Sequence, residues 1–431
     1  MNKRQVTILW VIAIALGAAV TAVKVSQNQS TRSATKRNHG QTLFESFPAN
    51  DAASIEIQGT LGSVTLSRKD GKWGVTQRDG YPANNTFVND FIRTLGELKV
   101  TLGMEAGPSF APRFGMDEAA TKPDDRGLTA TFKDAAGKEI AKISLGKNIA
   151  NSAAPSPMSG GSSAVGRYVR NHADDSGFYA VSEMFPSVSD DAKRWLDSGF
   201  INPEKIKSIT LSQPGKSETA WKLTRDDENA EFTLDAATAT EVLDTTVTSP
   251  LKSLFSYARF EDVVPAHQVA ERIATDAKRT AVIETVEGFS YTIHISPSKP
   301  PAENFLLTVE VTAEIPKERK KSEGEKPEDA KAKDSAFTER QKTLTEKLAK
   351  ENALAGITFE VAKSSLDPLL KDRAALITKA TPPPAEGAPT GGVQKLPGGM
   401  IARPPISATT PPIQAVTPPI SVPPADQSEK K

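Results

Sequence analysis

Apolar and polar residues alternate along most of this chain, and the period changes at defined points. From Ala53 the segments "SIEIQG" and "SVTLSRK" alternate, Asp70-Gly71 supplies a turn, and "KWGVTQ" returns. That pattern predicts a β-hairpin. Val88, Phe91, Ile92, Leu95 and Leu98 then recur at three- and four-residue spacing, the apolar face of a helix. Pro82 suits the first turn of that helix, where its missing N–H costs nothing. Period two resumes in "LTATFKD", "KEIAKISLG", "GRYVRN" and "GFYAVS". A helix-like "SVSDDAKRWLDSGF" closes the segment, with Trp195 and Leu196 on its buried face.

The same order returns about 155 residues later, the mark of an internal repeat. "SITLSQ" stands for "SIEIQG", and "WKLTRDD" from Trp221 for "VTLSRKD" from Val64. "EFTLD" takes the place of the Trp73 strand, which puts Phe232 near the position of Trp73. "ATEVLDTTV" takes that of the helix, with Val242 matching Val88. "TAVIETVEG", "SYTIHIS" and "NFLLTVEV" continue the series, and the segment from Phe359 repeats that from Phe178. The expected fold class is therefore α+β. It has two tandem similar halves, 44–200 and 201–380, each an antiparallel β meander with packed helices.

Other segments break the pattern. Behind a short basic tail (1–5), residues 6–23 are an uncharged run of about 27 Å as a helix, close to the hydrocarbon core of a bilayer. A transmembrane signal anchor is expected, with the bulk of the chain periplasmic; cleavage after Val20-x-Ala22 is the alternative. The polar stretch 24–43 reads as a flexible tether with a span of roughly 25 Å. An insert at 313–355 begins with the charged run 317–334, expected to be solvated. It continues as an amphipathic helix capped by Ser335, with Phe337, Leu344 and Leu348 on one face. "IANSAAPSPMSGGSSA" reads as a loop. In the tail, 381–431, Pro-Pro-Ile recurs every seven residues from Pro404. Such a tail favours an extended polyproline conformation and is expected to be disordered.

Composition narrows the chemistry. Basic and acidic residues number 53 each, so no global field draws in nucleic acid. Cysteine is absent, which excludes disulfides, thiolate metal sites and a Cys nucleophile. His39, His172, His267 and His294 lack metal-ligand spacing, so no metal or cofactor is expected. "SLGKN" around Gly146 lacks the spacing and the hydroxyl of a phosphate loop. The acid pairs, such as Asp174-Asp175 and Asp190-Asp191, read as turn formers and caps. Arg68 and Arg225 occupy matching places in the two halves. No nucleophile, base and stabiliser come together, so a non-enzymatic role is expected.

The stretch "GKWGVTQRDGYPANNTFVNDFIRTLGELKV" with "RFGMDE", "ISLGK", "GRYVRN", "GFYAVS" and "RWLDSGF" resembles the bacterial family called domain of unknown function 4340. The likeness covers roughly residues 50–200, and the second half fits only as a diverged copy without the Tyr-Pro-Ala and Trp-Leu-Asp elements. The resemblance brings no catalytic residues. It implies a chain held in the inner membrane by one N-terminal helix, an accessory subunit beside ABC-type or gliding-like transport components. Other envelope proteins are the wider class of expected partners. A cleft between the halves that holds a lipid or glycan is the rival expectation. Tyr81, which the second half does not copy, is the candidate partner-contact residue.

Overall fold

The computed structural model describes residues 35–150, 164–319 and 326–379. The expected anchor at 6–23, the loop core at 151–163 and the Pro-rich tail lie outside the described residues. The fold is mixed α/β, dominated by antiparallel sheets with few helices.

In the first half the strands are β1 (Ser54–Gln58), β2 (Ser63–Lys69), β3 (Lys72–Val75), β4 (Tyr81–Pro82), β5 (Val100–Glu105), β6 (Leu128–Lys133), β7 (Glu139–Ala150), β8 (Ala164–Asn171) and β9 (Gly177–Val181). They form one nine-stranded sheet in the order β4-β3-β2-β1-β6-β7-β8-β9-β5. The second half supplies β10 (Ile206–Ser212), β11 (Thr219–Thr224), β12 (Thr233–Leu234), β13 (Glu241–Leu243), β14 (Asp262–Val264), β15 (Arg279–Thr285), β16 (Phe289–Pro297), β17 (Phe305–Ala313), β18 (Thr358–Val361) and β19 (Ile377–Lys379). Eight of these form a second sheet in the order β12-β11-β10-β15-β16-β17-β18-β14, and β13 pairs separately with β19.

Strand for strand, the second order follows the first from β3 to β5. The registers agree as well. Ile55 on β1 lies between Leu66 and Phe132, and Ile209 on β10 between Leu223 and Ile283; all six are fully buried. These apolar positions alternate with polar, mostly half-buried ones, which fixes which face of each sheet turns inward. Arg68 lies over the Trp73 ring at 5.6 Å, and Arg225 over Phe232 at 5.2 Å. Each arginine also donates to a backbone carbonyl, of Asn50 and Ile206 respectively. The matched pair therefore pins hairpins in both halves.

Helices are few: α1 (Asn85–Glu97), the short α2 (Pro123–Arg126) and α3 (Thr245–Thr248), α4 (Ala266–Arg272), the long α5 (Pro327–Asn352), and the single turn α6 (Lys363–Leu366). Val88, Phe91 and Leu95 form the buried face of α1, as the spacing predicts. Its start differs from the expectation. Pro82 sits in edge strand β4, where no ladder N–H is required of it, and Asn84 caps the helix by accepting from Thr86 N and Phe87 N.

Four further expectations are corrected. "ATEVLDTTV" does not copy α1: it splits into β13 and the single turn α3, and Val242 is 49% exposed. Its Thr- and Val-rich composition loses side-chain freedom in a helix, and Pro250 follows closely. "SVSDDAKRWLDSGF" forms only a 3-10 turn, Ala192–Trp195, although Trp195 and Leu196 are buried as expected. Ser335 lies inside α5, which starts at Pro327, because the Glu, Lys and Ala of the charged run are good helix formers. Finally, residues 35–43 of the expected tether dock on the first sheet. Gly40 N donates to Val100 O, Leu43 N to Leu98 O, and Leu43 is fully buried. Among the described residues no helix is long and apolar enough to cross a membrane.

Candidate functional site

Tyr81 is buried, 5% exposed, at the seam between the two halves. Its ring meets Phe260 and Phe359 edge-on, with centroids 5.7 and 6.0 Å away. Phe200 packs on Phe255, Phe260 and Phe359 in turn. The Tyr81 hydroxyl donates to Gly199 O at 3.3 Å, and burial, with the charge of Asp197, pushes the phenol above its ordinary pKa.

Charged residues from the same corner cross the seam beside it. Arg78 donates to both carboxylate oxygens of Asp262, at 2.7 and 2.9 Å, and Lys193 stands 3.7 Å from the same carboxylate. Asp79 accepts from Ala266 N at the start of α4. The tight turn that aims these side chains needs left-handed backbone at Asp79 and Gly80. Rings fill the seam, and what stays open along its rim is a cavity of about 360 Å³ lined by Arg78, Tyr81, Val263, Val269 and Ile357.

Other signature motifs meet elsewhere, at one end of the first sheet. Gly146 of "ISLGK" lies directly under the carbonyl of Phe114 from "RFGMDE", so close that a Cβ there would collide with it. Beside this contact is a cavity of about 350 Å³, lined among others by Leu61, Leu128, Lys147, Arg167, Phe185 and Asp190. Asp190 is held by Leu61 N at 2.6 Å and Gly62 N at 3.3 Å. Arg167 on β8 donates to Gly146 O, Met184 O and Leu145 O. Burial lowers its pKa to about 10, against the opposing pull of Asp124. Arg167 stands two residues before the buried Val169, in the same phase of the strand, which is the one signal the sequence offers for it.

The histidines do not converge. His172 Nε2 and Ser144 Oγ are 2.8 Å apart, and Ser144 is also 3.1 Å from Thr129 Oγ1. Burial, with Arg170 and Lys142 nearby, lowers His172 to about 4, so the ring is neutral at pH 7. No carboxylate orients this ring among the described residues, and the three side chains form a polar ladder across neighbouring strands. His294 pairs with Thr280 in the equivalent place of the second sheet, and His39 with the carbonyl of Thr101. No cluster suited to a metal ion occurs among the described residues. The acid pairs serve turns and caps: Asp191 accepts from Lys193 N, and Asp227 from Asn229 N.

Residues 73–279 match the family described as Domain of unknown function (DUF4340), which is the family that the motifs resemble. The match runs from the Trp73 hairpin through the first half into β15 of the second. No curated protein and no solved structure matches the chain.

Proposed function

We propose that this chain, which carries a DUF4340 domain across residues 73–279, is a non-enzymatic envelope protein that binds other proteins. In this reading the run 6–23 anchors it in the inner membrane by a single pass, and the bulk of the chain is periplasmic. Its two sheets are copies of one unit, and the parallel strand orders support that. Its partners are components of an ABC-type or gliding-like transport complex, to which it is an accessory subunit.

One observation carries the reading. Three aromatic residues of the family signature are committed to the fold: Trp73, Tyr81 and Trp195 are 4, 5 and 0% exposed. A signature of this kind specifies a framework, and a framework acts through the surface it displays. The rival reading, a lipid or glycan held between the halves, has the filled aromatic seam against it. Crosslinking in native membranes followed by affinity recovery of the full chain tests the proposal. Transporter components in the recovered complex support it; their consistent absence rules it out.

A further inference from the structure

The cavity beside Gly146 has a counterpart in the second half, and comparison of the two shows what is particular about the first. On β8, Arg167 faces Asn148 on one side and Val181 on the other. On β17, Phe305 faces Pro297 and Val361. Phe305 thus holds the place of Arg167. On the neighbouring strands Leu128 faces Leu145, while Arg279 faces Ile295, so Arg279 holds the place of Leu128. Both Phe305 and Arg279 line a cavity of about 510 Å³ at the corresponding end of the second sheet.

Each cavity therefore contains one arginine, on a different strand, and the two arginines differ in their electrostatics. Arg279 is neutralised by Asp372 at 3.1 Å and also donates to Leu370 O. Among the described residues Arg167 hydrogen-bonds only to carbonyls: Gly146 O at 2.6 Å, Met184 O at 3.2 Å and Leu145 O at 3.3 Å. Of the five N–H groups of a guanidinium these bonds use three. Arg167 is half-buried, and Asp124 acts on it through space without forming an ion pair, so the close counter-charge that normally offsets a cation's lost hydration is missing. Lys147 adds a second positive group to the same lining, while Asp124 and Asp190 supply negative ones. Asp190 accepts from two backbone N–H groups and keeps its charge, whereas Asp124 is the exposed carboxylate of the lining, which can be changed without breaking those bonds.

We propose that this first cavity binds a small organic anion, its carboxylate or phosphate group on Arg167 and Lys147 and its apolar part against Leu128, Phe185 and Val188. The volume, about 350 Å³, is at the lower end for small-molecule sites and suits a group of about a dozen water-sized units. The paired arrangement of a planar guanidinium and an apolar wall selects amphipathic anions over inorganic ones. The second cavity, with its arginine already paired and Phe305 in its wall, does not share this preference.

Calorimetric titration of the full-length protein in detergent, with inorganic phosphate, butyrate and butyl phosphate as separate probes, tests the proposal. The two butyl probes distinguish carboxylate from phosphate ester as the preferred head group. At least one of them is expected to bind about ten-fold more tightly than inorganic phosphate, as burial of a short alkyl chain implies. Lys147→Gln, at an exposed rim position, is expected to weaken that binding about three-fold, and Asp124→Asn to strengthen it by a similar factor. Arg167→Gln is expected to abolish it. The rim variants leave the packed interior alone, so they remain informative if Arg167→Gln fails to fold. Absence of heat with all three probes overturns the proposal, and so does binding that neither Lys147→Gln nor Asp124→Asn alters.

Discussion

Arg78 and Asp262 form the best-defined charged contact between the halves, a two-pronged pair whose side chains are 17% and 5% exposed. Removing one member of such a pair strands the other charge away from water, which costs far more than the pair itself contributes. Asp262→Ala is expected to lower the stability by about 3 kcal/mol in urea denaturation, whereas the double change Arg78→Met with Asp262→Leu recovers most of the loss. Tyr81 belongs to the same joint through its ring more than through its hydroxyl. Tyr81→Phe is expected to cost about 1 kcal/mol. Tyr81→Ala, which opens a cavity among Phe260 and Phe359, is expected to cost about 3 kcal/mol or more. A Tyr81→Ala protein as stable as the parent would show that the ring is not part of the joint.

At the scale of elements, helix α5 is fastened to the second half by two carboxylates that respond to pH in opposite senses. Burial raises the pKa of Glu287, but hydrogen bonds from Arg340 and Lys205 outweigh it, and the net shift is downward. The stability that Glu287 contributes is therefore present above the unfolded carboxyl value and lost as the pH falls through its lowered folded value. Glu351, at the far end of α5, is raised by burial although Tyr291 and Asn202 N hydrogen-bond to it. Its contribution is complete below the unfolded value and fades as the pH rises through the folded one. Glu287→Gln should thus flatten the fall of the urea midpoint between about pH 5 and pH 3, and Glu351→Gln should remove the gain in midpoint that the parent shows as the pH falls towards the unfolded carboxyl value from above. An unchanged profile in both variants would remove these side chains from the fastening of α5.

The strands of both halves were legible in the sequence because period two, with one buried face, leaves a plain signature in residues such as Ile55, Ile57, Val64 and Leu66. The helices were less so. α1 was visible in Val88, Phe91 and Leu95, but its start was set by the Asn84 side chain rather than by Pro82. β5 and β14, the outer strands beside β9 and β18, carry too little alternation to be recognised, since pairing partners far along the chain define them. Arg167 is the counterpart at the candidate site: its place two residues before Val169 was visible, while its hydrogen bonds to three carbonyls are a property of the folded chain.

For the whole molecule, the seam is the consequential feature. Apolar side chains from both sheets join one buried cluster, and the corner that resembles the family signature supplies the bridging groups Arg78, Asp79 and Tyr81. Such a joint favours halves that unfold together, so urea denaturation followed by Trp fluorescence and by circular dichroism should give coincident transitions in the parent protein. Asp262→Ala should separate them.

The outward-facing apolar residues offer the most direct test of a partner-binding role. Leu61, Leu102, Phe110, Val165 and Tyr257 are 74, 51, 45, 52 and 95% exposed. A photo-crosslinking amino acid placed at each in turn, in the full chain and in its native membrane, reads which of these positions meets another protein. The proposed role predicts a discrete crosslinked product containing a transport component from at least one position; irradiation that yields no such product at any of them would contradict it.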